Sequence, residues 1–195
     1  STQLQKISRE DAERDLKFAG FVCFECPLRQ DSRKVIRMLK RSSHDVMMIT
    51  GDATLTAAHV ARQVSMCTRS MLILERSEVV AGSVEWFSAA TGKRRKKYSA
   101  AKIPELASEY DLCVSGNALD LAVELDNGTT NFLRHIKVFA RMSPSQKERV
   151  LTALKEVGLY TLMCGDGTND VGALKQAHVG VALLSSNVVL ERDSE

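Results

Sequence analysis

Two short apolar runs in this chain end in the same way, and that shared ending limits the fold more than any other feature. Val46 to Thr50 runs into Gly51-Asp52, and Tyr160 to Cys164 runs into Gly165-Asp166-Gly167-Thr168-Asn169-Asp170. A short, wholly apolar run bounded by turn residues predicts a strand buried on both faces. Each run is followed by a segment of helical period, Thr54 to Val64 and about Asn169 to Ala177. Strand followed by helix, with a carboxylate in the turn between them, is the pattern of a parallel α/β sheet.

The rest of the chain repeats this alternation. Met71 to Leu74, Asp111 to Ser115, Lys137 to Ala140 and Val179 to Leu183 read as further strands, and Asp31 to Arg41 as a helix with Val35, Ile36, Met38 and Leu39 on or near one face. Phe18 to Cys26, stopped by Pro27, also reads as a strand. The clearest helix start lies at Ser143. That residue suits the N-cap, Pro144 the first helical position, and Gln146 completes a capping box, while Gly158 suits the C-terminal cap. From Leu74 to His135 the pattern loosens into hairpin and turn signals, which predicts an insertion of strands and short helices. The expected fold class is α/β, a Rossmann-like parallel sheet with helices on both faces.

In open parallel sheets, ligands bind beyond the carboxyl ends of the strands. Here that selects Thr50, Gly51 and Asp52 together with the loop from Gly165 to Asp170. A hydroxyl, backbone N–H groups beside glycine and several carboxylates suit a phosphate bound with Mg²⁺, because the ion offsets repulsion between the two kinds of anion. Lys147, in the first turn of the capped helix, is placed to add a cation. Its charge sits at the positive end of the helix, a small cost that a nearby anion would remove. Taken alone, Thr-Gly-Asp is an ordinary turn, whereas the six-residue loop is more specific. An EF-hand is excluded because Val171 and Ala177 stand where Gly and Glu are needed, and Gly92-Lys93 lacks the earlier glycine of a P-loop.

Composition removes other classes. The chain has 195 residues, of which 26% are charged, and no window approaches a membrane-spanning apolar run; the longest such stretch, Val179 to Leu184, is expected to be a short buried strand. The net charge of +3 conceals one run of five cations, Lys93, Arg94, Arg95, Lys96 and Lys97; without them, 22 basic residues face 24 acidic ones. A general nucleic-acid surface is therefore not expected. The run itself is a solvated hairpin tip or a patch for an anionic membrane surface or RNA. Five cysteines, with a single Cys23-x-x-Cys26 pair and no second pair, predict reduced thiols rather than a zinc site.

Three motifs in order, Met48 to Asp52, Phe139 to Pro144 with Lys147, and Met163 to Leu174, resemble the P-type ATPases. Gly20 to Arg29 resembles the hinge that enters their phosphorylation domain, and Cys26-Pro27-Leu28-Arg29 with the long insertion is similar to the type V subgroup, especially its endoplasmic-reticulum branch. The resemblance implies a haloacid-dehalogenase-like fold, with residues 1–27 as the tail of a nucleotide domain and hinge. Residues 28–195 would form the phosphorylation domain, with an insertion at about 75–135. It implies ATP as substrate and Mg²⁺ as cofactor. Asp166 would hold the metal, Asn169 would contact the phosphoryl group, and Asp170 would orient Lys147. Thr50, Gly51, Asp52, Gly167 and Thr168 would line the phosphate and nucleotide site, and Arg29 would belong to the hinge.

The partners implied are the nucleotide and actuator domains and membrane helices of a longer protein in the endoplasmic reticulum, with this segment facing the cytosol. The chain, which does not begin with Met, is then expected to be a piece, soluble by itself. The family's phosphorylated aspartate lies in Asp-Lys-Thr-Gly-Thr, a sequence that does not occur here. The central strand carrying it is therefore expected to be absent and the isolated chain inactive. Ala53 stands where the subgroup often has Asn, and His178 where the family usually has Asp, which implies altered support of the phosphate-side loop. The alternative is an inactive fold of this type serving as a binding module through its basic run.

Overall fold

The computed structural model describes residues 8–23 and 27–183. They divide into two units, Ser1–Gln30 and Asp31–Glu195. The first contains a short helix, α1 (Arg9–Ala12), an exposed Arg9–Glu13 ion pair at 2.7 Å and an edge-on contact between the Phe18 and Phe21 rings. The strand expected from Phe18 to Cys26 does not form over residues 18–23, which are exposed and lie in no ladder; residues 24–26 are outside the described residues. Apolar content alone does not make a strand without a neighbour to pair with, and Gly20 takes φ +133°, well away from extended backbone.

The second unit contains helix α2 (Ser32–Arg41) and a six-stranded sheet of order β1-β6-β5-β2-β3-β4. The strands are β1 (Met48–Ile49), β2 (Met71–Arg76), β3 (Val84–Ser88), β4 (Arg94–Lys97), β5 (Asp111–Ser115) and β6 (Val138–Ala140). The first four positions pair in parallel, and β3 and β4 close the far edge as an antiparallel hairpin. Helix α3 (Thr54–Gln63) covers one face, where Ala57, Ala58 and Ala61 meet Ile73, Cys113 and Val138. The opposite face is covered by α4 (Ile103–Glu109), α5 (Gly116–Leu125) and α6 (Pro144–Glu156), packed on Leu72, Leu74, Trp86, Leu112, Val114 and Phe139. The two sets alternate along each strand, as the twofold period of a strand requires.

A separate parallel pair, β7 (Leu162–Gly165) and β8 (Val179–Ala182), is joined through α7 (Val171–Gln176). Here the expectation of strands buried on both faces fails. β5 is buried along its whole length, but every residue of β8 is exposed and β7 alternates. Only one face of this pair is covered, by Leu151 and Ala173 against Met163, and two strands have no flanking strands to shield the other. The span expected as an insertion, about 75–135, includes β5, which sits inside the main sheet, and α5, which packs on its face.

Among the described residues, β1 pairs with β6 alone and β7 with β8 alone. The parallel sheet therefore exists as two pieces, each with an open edge, and the exposed side chains Leu162, Val179 and Val181 lie on the smaller piece. On α2, Val35 and Met38 are about half exposed although Ile36 packs on the core.

Candidate functional site at the open strand ends

The β1 turn is shaped by its neighbours. Thr50 N–H donates to the Phe139 carbonyl at 2.8 Å, the Thr50 carbonyl accepts from Met142 N–H at 3.0 Å, and the Asp52 carbonyl accepts from Arg141 N–H at 2.9 Å. Thr50 Oγ1 accepts from Asp52 N–H at 3.1 Å, which folds the turn back on itself. The Asp52 carboxylate is left exposed.

Lys147 comes from the capped helix, and the cap has the form its sequence predicts. Ser143 Oγ accepts from Gln146 N–H at 3.2 Å, and Gln146 Oε1 accepts from Ser143 N–H at 2.9 Å. Gln146 Nε2 also donates to the Gly116 carbonyl at 3.0 Å and to Asp120 at 2.7 Å, fastening the start of α6 to α5. At the other end, Gly158 at φ +80° donates to the Lys155 carbonyl and lets the chain leave the helix.

From this fixed helix, Lys147 Nζ donates to Asp170 Oδ1 at 2.7 Å, with both side chains at least nine-tenths buried. Burial alone would raise the Asp170 carboxyl. The hydrogen bond and charge of Lys147 outweigh it, helped by the N–H groups of Gly167 and Asp166, and hold the group below the ordinary carboxylate range. The charge conflict expected for Lys147 at a helix start is thus met by a carboxylate of the chain itself. Asp170 lies in a single 3-10 turn, Thr168–Asp170, ahead of α7, so the expected helix start at Asn169 is tighter than a regular helix. Gly165 is required beneath it: a Cβ there would lie 2.5 Å from the Asp170 Cβ.

These elements converge on one cleft of about 420 Å³ between β1 and β7, lined by Thr50, Gly51, Asp52, Lys147, Asp166, Asn169 and Asp170. Gly165, from the loop the sequence selected, completes its walls together with Ile49, Met163, Cys164 and Leu183, which were not singled out as site residues. For Ile49, Met163 and Cys164 the signal was present only as position, one or two residues before a Gly-Asp turn; Leu183, just past β8, had none. Gly167 and Thr168, expected at the site, do not line the cleft. Arg29 lies exposed in the other unit. The expectation for His178 is corrected: its Nδ1 accepts from Thr161 N–H at 3.1 Å and its ring stacks on Tyr160. It therefore ties the starts of β7 and β8, at the end of the pair away from the loop. Ala53 is the N-cap of α3 and provides no side-chain cap.

No protein-family model matches the chain. Individual relatives do. The chain is 48% identical to the "Probable manganese-transporting ATPase PDR2" of Arabidopsis thaliana over 189 residues, covering 97% of this chain and 16% of that protein. It is 45% identical to the "Endoplasmic reticulum transmembrane helix translocase" of Saccharomyces cerevisiae, over 94% of this chain and 15% of that one. The human "Polyamine-transporting ATPase 13A3" is 31% identical over 93% of this chain. The chain belongs to the type V P-type ATPases. It spans about a sixth of the length of the relatives it matches. Among its described residues no helix is long and apolar enough to cross a membrane. Apart from Leu183, the residues that line the cleft come from the three motifs that carry the family resemblance.

Proposed function

We propose that this type V ATPase segment supplies the Mg²⁺- and phosphate-binding half of a phosphorylation domain, in a longer protein that hydrolyses ATP through an aspartyl phosphate to drive transport. The observation that carries this is the cleft between two open strand edges, with Thr50, Gly51 and Asp52 on one side and the Lys147–Asp170 pair on the other. One further strand between β1 and β7 would complete the sheet and bring an aspartate at its end to that pair.

The roles follow from charge and position. Thr50 and Gly51 would hold phosphoryl oxygens, and Asn169 would donate to them. Lys147 would reduce their charge while Asp170 keeps it ionised and in place, since phosphoryl transfer depends mainly on positioning and charge stabilisation. The donor set suits Mg²⁺. No three metal-ligating side chains cluster among the described residues, whereas Mg²⁺ commonly takes one or two carboxylates and completes its shell with water and phosphate oxygens. Asp166 would hold the ion, Asp52 lies across the cleft, and Asp170 is engaged by Lys147. When bound, the ion would neutralise developing charge on the phosphoryl group.

The higher identity to relatives named for the endoplasmic reticulum, 45–48%, than to the polyamine-transporting ATPases, 30–32%, supports a parent in that membrane, where this segment would face the cytosol. The longer protein, incubated with terminally labelled ATP and Mg²⁺, is expected to form an acid-stable phosphoenzyme that hydroxylamine releases. A parent that forms none overturns the proposal. The 195-residue chain alone is expected to incorporate no label.

A further inference from the structure

Five consecutive cations on a sheet edge are more than edge protection requires. Among the described residues, β4 is the last strand of the six-stranded sheet, and its outer side has no strand partner. A charged residue or two is enough to discourage edge-to-edge pairing. Here Arg94 pairs with the buried Glu85 at 3.2 Å, and Lys96 lies 5.7 Å from the centre of the Tyr110 ring. Lys93 and Lys97 are exposed and make no ion pair among the described residues. Lys102 lines the same surface groove as Lys96 and Lys97, with Glu105 as its one carboxylate.

We infer that this rim is a docking surface for the anionic lipid headgroups of a membrane leaflet. A line of cations at the extreme edge of a domain can meet a flat, diffuse layer of negative charge without a shaped pocket. Single-stranded RNA would call for exposed aromatic faces on which bases stack. The nearest aromatic residue in sequence, Tyr98, packs edge-on against Phe132 with its hydroxyl buried.

The second basic element, α2, fits less well. Arg33 Nε donates to Ser65 Oγ at 2.7 Å, Lys40 Nζ donates to the Met66 carbonyl at 3.0 Å, and Arg37 Nε donates to the Arg33 carbonyl at 3.3 Å. Arg33 and Lys40 fasten the helix to the segment after α3, and Arg37 bonds within the helix. The assignment of the rim depends on the proposed pump only for why a membrane would be close at hand; the charge argument is independent of it.

Flotation of the 195-residue chain with vesicles tests the assignment. Vesicles of phosphatidylcholine with about 30% phosphatidylserine should carry the chain upward, and phosphatidylcholine alone should not. Raising salt from about 0.1 M to about 0.5 M should release it. Replacing residues 93–97 by Gln should lower partitioning about a hundredfold or more, at roughly fivefold per cation near the surface. Replacing Lys34 and Arg41 of α2 by Gln should leave it within about twofold. Equal flotation with neutral vesicles, no flotation, indifference to the 93–97 replacement, or preferential capture by single-stranded RNA overturns the assignment. None of these outcomes bears on phosphoenzyme formation, so the two proposals fail separately.

Discussion

Lys147 and Asp170 lie 23 residues apart in sequence and meet through a 2.7 Å hydrogen bond, almost out of contact with water. Each charge is tolerable only because of the other. Asp170→Asn and Lys147→Met should each cost about 3–5 kcal/mol, because each leaves one buried charge uncompensated. The double variant should cost clearly less than the sum. Urea unfolding of the four proteins measures the coupling, and strict additivity would show the pair to be independent.

The same pair sets an acid limit on stability. Asp170 titrates below its ordinary range when folded, so its stabilisation is full above the unfolded value and is lost as pH falls toward the folded one. His135 is lowered by burial and by the charges of Arg134 and Lys137. The unfolded chain therefore takes up its proton first, and stability falls as pH drops through the ordinary histidine range. Urea midpoints between neutral pH and about pH 3 should decline in two stages. His135→Gln should flatten the first stage and Asp170→Asn the second.

Ala53 begins α3 with extended backbone and no side-chain acceptor for the free N–H groups of the first turn. Ala53→Asp or Ala53→Asn should stabilise the chain by about 1 kcal/mol, seen as a higher thermal midpoint. Ser143→Ala should cost about 1 kcal/mol, because the Gln146 N–H loses its Oγ acceptor while the Ser143 N–H to Gln146 Oε1 bond remains.

Gly165→Ala should disturb the site from beneath. Its methyl would lie 2.5 Å from the Asp170 Cβ, and the strand beside it is held by β8. A cost of about 1–3 kcal/mol is expected, with the coupling between residues 147 and 170 reduced in the double-variant cycle.

Thiol labelling should separate the cysteines. Cys67 and Cys113 are buried, and burial pushes the Cys67 thiol up to about 12, with Cys113 also raised. Neither should react with iodoacetamide at neutral pH before unfolding, whereas the exposed Cys23 and Cys164 should. Protection of Cys164 by Mg²⁺ with a phosphate analogue would mark occupancy of the cleft it lines.

Much of the site was legible in order and type. The Ser143 cap, the short strands and the two Gly-Asp turns are local signals, carried by residues that choose their backbone conformation without help from the rest of the chain. The failures came where local pattern needs a distant partner. Phe18 to Phe21 has strand-like composition but no ladder to join, and Val179 to Ala182 forms a strand that nothing covers on one side. Asp111 to Ser115 lies within a loosely patterned region, yet pairs on both sides in the main sheet.

By itself, then, the sequence determined the α/β class, the caps and the set of polar residues around the cleft, because each depends on neighbours a few positions away. Only the tertiary structure decided that His178 lies at the far end of the β7–β8 pair, how deeply the Lys147–Asp170 pair is buried, and that the parallel sheet stands in two pieces. These depend on long-range pairing and burial, where a strand edge or a buried charge is satisfied only by a residue far off along the chain.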